Sequence, residues 1–451
     1  MHHHRTAAWL LGALALALAG CGSGGGHRDG GGDALAAKAP HWLKIFMVAG
    51  PDGAYETAAQ QQGVENGARL ALDQWAHTVS YGRGARKHSF HIYLTPLEDS
   101  TPKSGAWSQG LTAANAQRAA SARNAVAYIG DFDSAATALT LPALSGSGIL
   151  EVSPWSPYVG FTDSDPADDE GDPARYYPQS GQRDFARLIP SDVAEASAIA
   201  ELMQQQGVRR LYVLGDVSVF DSAVAQLVAN DAQSHGITLV GFTQGIDTQT
   251  NSQPVGYVQY AASAAAARPD AVLLGGTAGL GAVALWRELH TMLPHALLFA
   301  PSTLATPAFL AAIAAPGGRC VGASRTPVTC SAAASATYVT SPILEPNQYP
   351  QTARAVFRAY RRRFHTRTAP VYALYGYAAM EDVLQAIRLT GRQIGNHAVL
   401  LRDFFHRLGM IHGVIGDYTI DGNGDSSLQT FDGYRVAAGG TLRLLTEISA
   451  G

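Results

Sequence analysis

Residues 127–137, Ala127-Tyr128-Ile129-Gly130-Asp131-Phe132-Asp133-Ser134-Ala135-Ala136-Thr137 ("AYIGDFDSAAT"), pass from an apolar run of strand length through a glycine and an acidic loop to a serine that opens an alanine-rich helical pattern. A strand that hands over directly to a helix is the unit from which parallel α/β sheets are built. Open α/β sheets bind ligands at the carboxyl ends of their strands. The junction is therefore a candidate site as well as a fold signal. Ser134 reads as the helix N-cap, a role worth about 1 kcal/mol. The amides behind it carry about half a unit of positive dipole charge and suit a carboxylate.

The same unit recurs outward from this stretch. Apolar runs at 43–49, 90–94, 126–129 and 149–152 alternate with helical patterns over 58–78, 109–124 and from Ser134. Residues 162–181 (TDSDPADDEGDPARYYPQSG) interrupt the series and read as a solvated loop without the ordered ligand spacing of a calcium site. The alternation then resumes, with helices over 192–206 and 220–234 and strands at 210–214, 237–242, 271–274 and 296–299. A Gly/Ser/Ala-rich loop at 316–336, three helical patterns (350–365, 371–390 and 397–408) and a β-like segment from His412 complete the chain. The fold class is α/β, in two units of comparable size. Asp421-Gly422-Asn423-Gly424-Asp425 imitates a calcium loop, but Ser426 and Asp432 stand where an EF-hand needs Gly and Glu. A hairpin turn is the better reading.

With 451 residues, 47% hydrophobic and only 15% charged, the chain can bury the cores of two domains. Its formal charge of −4 is spread without a basic stripe, which argues against nucleic acid as a partner. No G-x-S-x-G, HExxH, Walker A or paired CxxC pattern occurs. Gly275 to Gly281 follows a strand without the G-x-G-x-x-G spacing of a dinucleotide loop. No catalytic residue, metal ligand or cofactor is assigned, and an exported enzyme would need a nucleophile–base pair that is not seen.

Met1 to Arg5 is a short positive segment, and Ala7 to Ala19 is an apolar run too short to span a bilayer as a mature helix. Leu18-Ala19-Gly20-Cys21 resembles a bacterial lipobox. That resemblance implies a signal peptide over 1–20, cleavage before Cys21, diacylglycerol on its sulfur, and a lipidated flexible tether over 21–41. Cys320 and Cys330 would then be an even pair in an oxidising compartment, where a disulfide persists.

The order of the fragments is similar to that of the bacterial periplasmic binding proteins of the leucine/isoleucine/valine type. The fragments are "GVENGARLALD" (63–73), "AYIGDFDSAATALTLPAL" (127–144), "ILEVSPWSP" (149–157), "FARLIPSDVAEASAIAELM" (185–203), "GVRRLYVLGDVSVFDSAVAQ" (207–226), "RPDAVLLGGTAGLGAVALWREL" (268–289), "APVYALYGYAAMEDVLQAI" (369–387) and "GVIGDYTIDGNGD" (413–425). The resemblance implies two doubly wound Rossmann-like lobes joined by a three-segment hinge. Lobe 1 would take 42–187 plus 338–411, and lobe 2 would take 188–337 plus 412–451. The crossings are expected near 162–190, 335–345 and 410–416.

The resemblance also implies a small-molecule ligand between the lobes. Ser134 and Ala135 match positions that receive an amino acid's α-carboxylate, and Ser153, Trp155 and Ser156 match the facing loop. Gln60 and Tyr372 fall where the family places aromatic wall residues, and Phe220 where it places a tyrosine. Thr277 and Ser302 stand where amino-acid binders have a tyrosine and a glutamate. Either Asp221 or an acid from elsewhere then serves the ammonium, or the ligand is not an α-amino acid, because an unpaired buried ammonium is costly. The expected protein is a monomeric, lipid-anchored, extracytoplasmic binding protein for an ABC permease. The alternative is a sensory module on the same fold.

Overall fold

The structure, a computed structural model, describes residues 41–48, 58–100, 108–165, 171–178, 181–322 and 325–450. The expected signal peptide, Cys21 and all of the tether but His41 lie outside these residues.

The first run comprises β1 (Trp42–Val48), α1 (Ala58–Gln74), β2 (Thr78–Tyr81), β3 (His88–Leu97), α2 (Gln109–Ala120), β4 (Ala125–Ile129), α3 (Ser134–Ser145), β5 (Leu150–Ser153) and β6 (Phe185–Arg187). Its strands form one sheet in the order β2-β3-β1-β4-β5-β6. All neighbours are parallel except β2, which pairs antiparallel to β3. Every residue of β4 and β5 is buried. Strands covered on both faces must be continuous apolar runs, which is why they stand out in the sequence.

The second run comprises α4 (Asp192–Gln205), β7 (Arg210–Asp216), α5 (Val219–Asp231), β8 (Thr238–Ile246), α6 (Pro254–Ala267), β9 (Ala271–Gly275), α7 (Leu280–Met292), β10 (Leu297–Ala300), α8 (Pro307–Ala314), β11 (Arg319–Val321), β12 (Pro327–Thr329) and β13 (Thr337–Ser341). Next come α9 (Gln351–Phe364), α10 (Tyr372–Thr390), α11 (His397–Arg407), β14 (Ile411–His412), β15 (Asp417–Tyr418), β16 (Thr430–Val436) and β17 (Leu442–Ser449). The second sheet runs β17-β16-β13-β10-β9-β7-β8. A Cys320–Cys330 disulfide joins β11 to the residue after β12, with Cα atoms 5.0 Å apart.

Helices α9, α10 and α11 return to the first sheet, sharing one apolar core with β1, β4 and α1. Helix α10 lies against α1 at backbone distance. A Cβ on Gly376 would stand 2.0 Å from the Val64 carbonyl oxygen, and one on Gly67 would stand 2.0 Å from that of Ala373. Only glycine permits this approach.

Three details depart from the sequence reading. Residues 338–341 belong to β13, which lies between β10 and β16, so the chain leaves the second sheet after Ser341 rather than at 338. Thr337-Tyr338-Val339-Thr340, β-branched and aromatic, fills that central slot. Val414, Ile415, Tyr418 and Ile420 pack in the first core, and the Tyr418 hydroxyl donates to Asp382 at 2.6 Å. The last crossing therefore comes past Asp425, which pairs with Arg187 at 2.6 Å, not near 410–416. Lastly, the acidic loop is only partly solvated. Tyr176 and Tyr177 are buried with Phe161 and Phe185, because this small aromatic cluster needs a cover that the short β6 cannot provide. Asp421 does form a turn, accepting from the amides of Asn423, Gly424 and Asp425.

Candidate functional site

A cavity of about 300 Å³ lies at the carboxyl ends of the central strands. Its wall takes Phe132 to Ala135 from the β4–α3 junction and Trp155 and Pro157 from the loop after β5. From the second body come Glu195, Phe220, Asp221, Gln249 and Thr303. Loops and helix starts of both bodies therefore border one volume.

Local chemistry explains the β4–α3 junction. Gly130 leaves the strand at φ +142, a conformation open to glycine. The N-cap of α3 is Asp133, not Ser134. Its carboxylate accepts from the amides of Ala135 at 2.7 Å and Ala136 at 3.2 Å. Asp133 has the extended backbone a cap requires (φ −108, ψ 133), and a full negative charge answers the helix dipole better than a hydroxyl does. Ser134 is the first helical residue, and its Oγ accepts weakly from the Tyr158 amide at 3.4 Å.

The residues expected at the site divide into two groups. Ser134, Ala135, Trp155 and Phe220 line the cavity. Tyr372 packs behind Trp155, with ring centroids 5.5 Å apart. Phe220 meets the ring of Tyr158 edge-on at 4.9 Å, an aromatic contact between elements of the two bodies.

Ser153 and Ser156 are wholly buried and do not reach the cavity. Ser153 donates to the Asp131 carbonyl at 2.6 Å and accepts from the amides of Trp155 and Ser156. Ser156 bonds the Asp131 carbonyl and Thr137. These two hydroxyls hold the loop rather than face a ligand. Thr277 is buried too, bonded to Thr248 and Gln249. Gln60 sits half-buried in α1, away from the cavity wall.

Ser302 discloses a residue that the sequence reading missed. Its amide donates to Glu195 at 2.6 Å and its hydroxyl at 2.9 Å, while Thr340 adds a third donor at 2.8 Å. An acid is thus carried to the position that lacks one in sequence, from α4 rather than from the strand–helix loop. Asp133 and Asp192 on the wall were missed as well. Each acid sits at or in the first turn of a helix, where it signals only a helix start.

The wall carries Asp133, Asp192, Glu195 and Asp221, and no lysine, arginine or histidine stands among its described residues. Burial raises the pKa of each. Asp192 is pushed to about 8, chiefly by burial and then by the Glu195 charge, against a downward pull from Arg187. Asp221 is raised well above the usual carboxylate range by burial and then by Asp133 and Asp216. Burial raises Asp133 and Glu195, and their hydrogen-bond donors oppose it.

Two α/β bodies that share a cavity at their strand ends define a two-lobed binding-protein architecture. The sequence profile of a family described as periplasmic binding protein matches residues 52–441. The chain belongs to that family, and its fold is that of the type I periplasmic binding proteins.

Solved structures of the same fold include a leucine-binding protein of Thermotoga maritima (17% identity, 90% of this chain and 99% of that one, TM-score 0.63). A branched-chain amino acid binding protein of Streptococcus pneumoniae in complex with isoleucine is 15% identical, over 90% and 99% of the two chains, with TM-score 0.62. A solute-binding protein of Rhodopseudomonas palustris in complex with 3,4-dihydroxybenzoic acid is 13% identical, over 91% and 98%, with TM-score 0.63. At these identities the likeness speaks for the fold alone. No curated protein matches the chain. Among the described residues, no helix is long and apolar enough to cross a membrane.

Proposed function

We propose that this chain is a lipid-anchored extracytoplasmic binding protein that captures a small organic ligand between its two bodies for an ABC importer, without covalent chemistry. The observation that carries the reading is the cavity itself. It lies where α/β sheets bind ligands, and its wall is assembled from both bodies. Ser134, Ala135, Trp155 and Phe220 meet the ligand, and Tyr372 backs Trp155. Ser153, Ser156, Thr277 and Ser302 act from behind, as supports of the loops that form the wall. Closure is a hinge motion selected by contacts that only the closed arrangement makes. The structural relatives' amino acids and hydroxybenzoate set the expected size, a polar end on a compact apolar body.

Native mass spectrometry of the purified chain should reveal a co-purified small molecule, and cells lacking the gene should lose uptake of that compound. Chemical turnover of the compound by the purified chain, or unaltered uptake, would overturn the reading.

A further inference from the structure

Resting on that reading, we propose that the ligand is an organic cation, an amine with an apolar or aromatic body and no carboxylate.

Three helices present their N-termini to the cavity, and each is already answered by acid from this chain. Asp133 caps α3, Asp192 and Glu195 occupy the first turn of α4, and Asp221 occupies the first turn of α5. Three such helix ends supply about +1.5 charges between them. Four acids answer that, and with all four ionised, as an incoming cation favours, the sum on the wall is negative. The two amides best placed for a ligand carboxylate, those of Ala135 and Ala136, are bonded to Asp133. A carboxylate brought here would displace an internal one and face three more.

Asp192 supplies the independent observation. It is 5% exposed and lies on the cavity wall, yet its Oδ2 has no hydrogen-bond partner among the described residues. A buried, unpartnered carboxylate oxygen is costly, and an ammonium N–H satisfies both its charge and its lone pair. The nearest cation does not do this. The Arg187 guanidinium is bonded to the carbonyls of Ser156 and Tyr158, to Thr162 and to Asp425.

Aromatic rings complete the match, because Phe132, Trp155 and Phe220 line the same cavity. Their faces attract a cation and accommodate its apolar body. Glu195 already accepts from three donors, whereas Asp192 keeps an unpartnered oxygen, so Asp192 and its wall neighbour Asp221 are the acids assigned to the ammonium.

The test uses the full chain and two sets of probes that differ only in their charged groups. The first set is phenethylamine, phenylalanine and 3-phenylpropionate, and the second is isopentylamine, leucine and 4-methylpentanoate. Isothermal titration at pH 8 should show at least one amine binding tenfold or more tightly than its amino acid and its acid. Asp192→Asn and Asp221→Asn should each weaken that amine at least tenfold while the variant's melting temperature stays at or above the parent's.

Amine binding should also weaken as pH falls from 8 to 5.5. Asp192, faced by Glu195, Asp165 and Arg187, takes up a proton there, and burial with the charges of Asp133, Asp216 and Asp192 raises Asp221 in the same direction. Binding of the amino acid or the acid at least as tightly as the amine would overturn the inference and leave solute capture standing. Failure of all six probes would overturn the inference too, and uptake by cells would decide solute capture separately.

Discussion

Asp192→Asn should stabilise the protein, and more so at higher pH. The carboxyl rises from an ordinary 3.8 to about 8 on folding, chiefly through burial and then through the Glu195 charge; Asp165 adds to this and Arg187 opposes it. Between those two values the folded chain binds a proton that the unfolded chain does not. Stability from this group is therefore fully present below about pH 4 and is lost as pH rises towards 8. At 1.36 kcal/mol per unit, the penalty at pH 7 is about 4 kcal/mol.

Asparagine has nearly the same shape and keeps an acceptor for the Val159 amide, but it has no charge to desolvate. Allowing for imperfect bonding of its NH₂ group, the gain at pH 7 is about 2–4 kcal/mol, or about 2–5 °C for a chain of this length. Calorimetric melts of both proteins from pH 4 to 8.5 provide the assay. The two melting temperatures should coincide near pH 4 and diverge upward. A variant that is less stable at pH 7.5, or a gap that does not widen with pH, would refute the argument that Asp192 is buried without adequate compensation.

Gly376→Ala should cost at least about 3 kcal/mol or prevent folding, because its Cβ would stand 2.0 Å from the Val64 carbonyl and neither helix backbone can yield; circular dichroism melts read this directly. Replacing Cys320 and Cys330 with serine should cost about 2–3 kcal/mol for a cross-link spanning 10 residues, and reductant should lower the parent's melting temperature by a similar amount while leaving the variant's unchanged. Trp286→Ala should cost about 3–5 kcal/mol in chemical denaturation, since the side chain is fully buried and its indole N–H donates to Thr337 at 2.9 Å. Phe220→Ala removes the ring that meets Tyr158 and Phe161. It should weaken ligand binding about tenfold and enlarge the radius of gyration in solution scattering, whereas an unchanged radius would deny Phe220 a part in closure.

The alternation of strands and helices was legible because buried parallel strands leave continuous apolar runs and their helices leave amphipathic ones. β4 and α10 were therefore plain from sequence. The β13 strand was not, since its Thr-Tyr-Val-Thr run is short and adjoins a Gly/Ser/Ala-rich loop, and only the gap between β10 and β16 makes it a strand. Tyr176 and Tyr177 were hidden in the same way, by acidic neighbours whose exposure says nothing of theirs.

By itself the sequence determined the α/β class, the two-unit organisation and the strand ends that border the cavity. The sign of the site was decided only in three dimensions. Asp133, Asp192, Glu195 and Asp221 lie up to 88 residues apart and each reads locally as a helix-start acid. Charge is additive in space, so its sum on one wall follows from which helix ends the fold brings together.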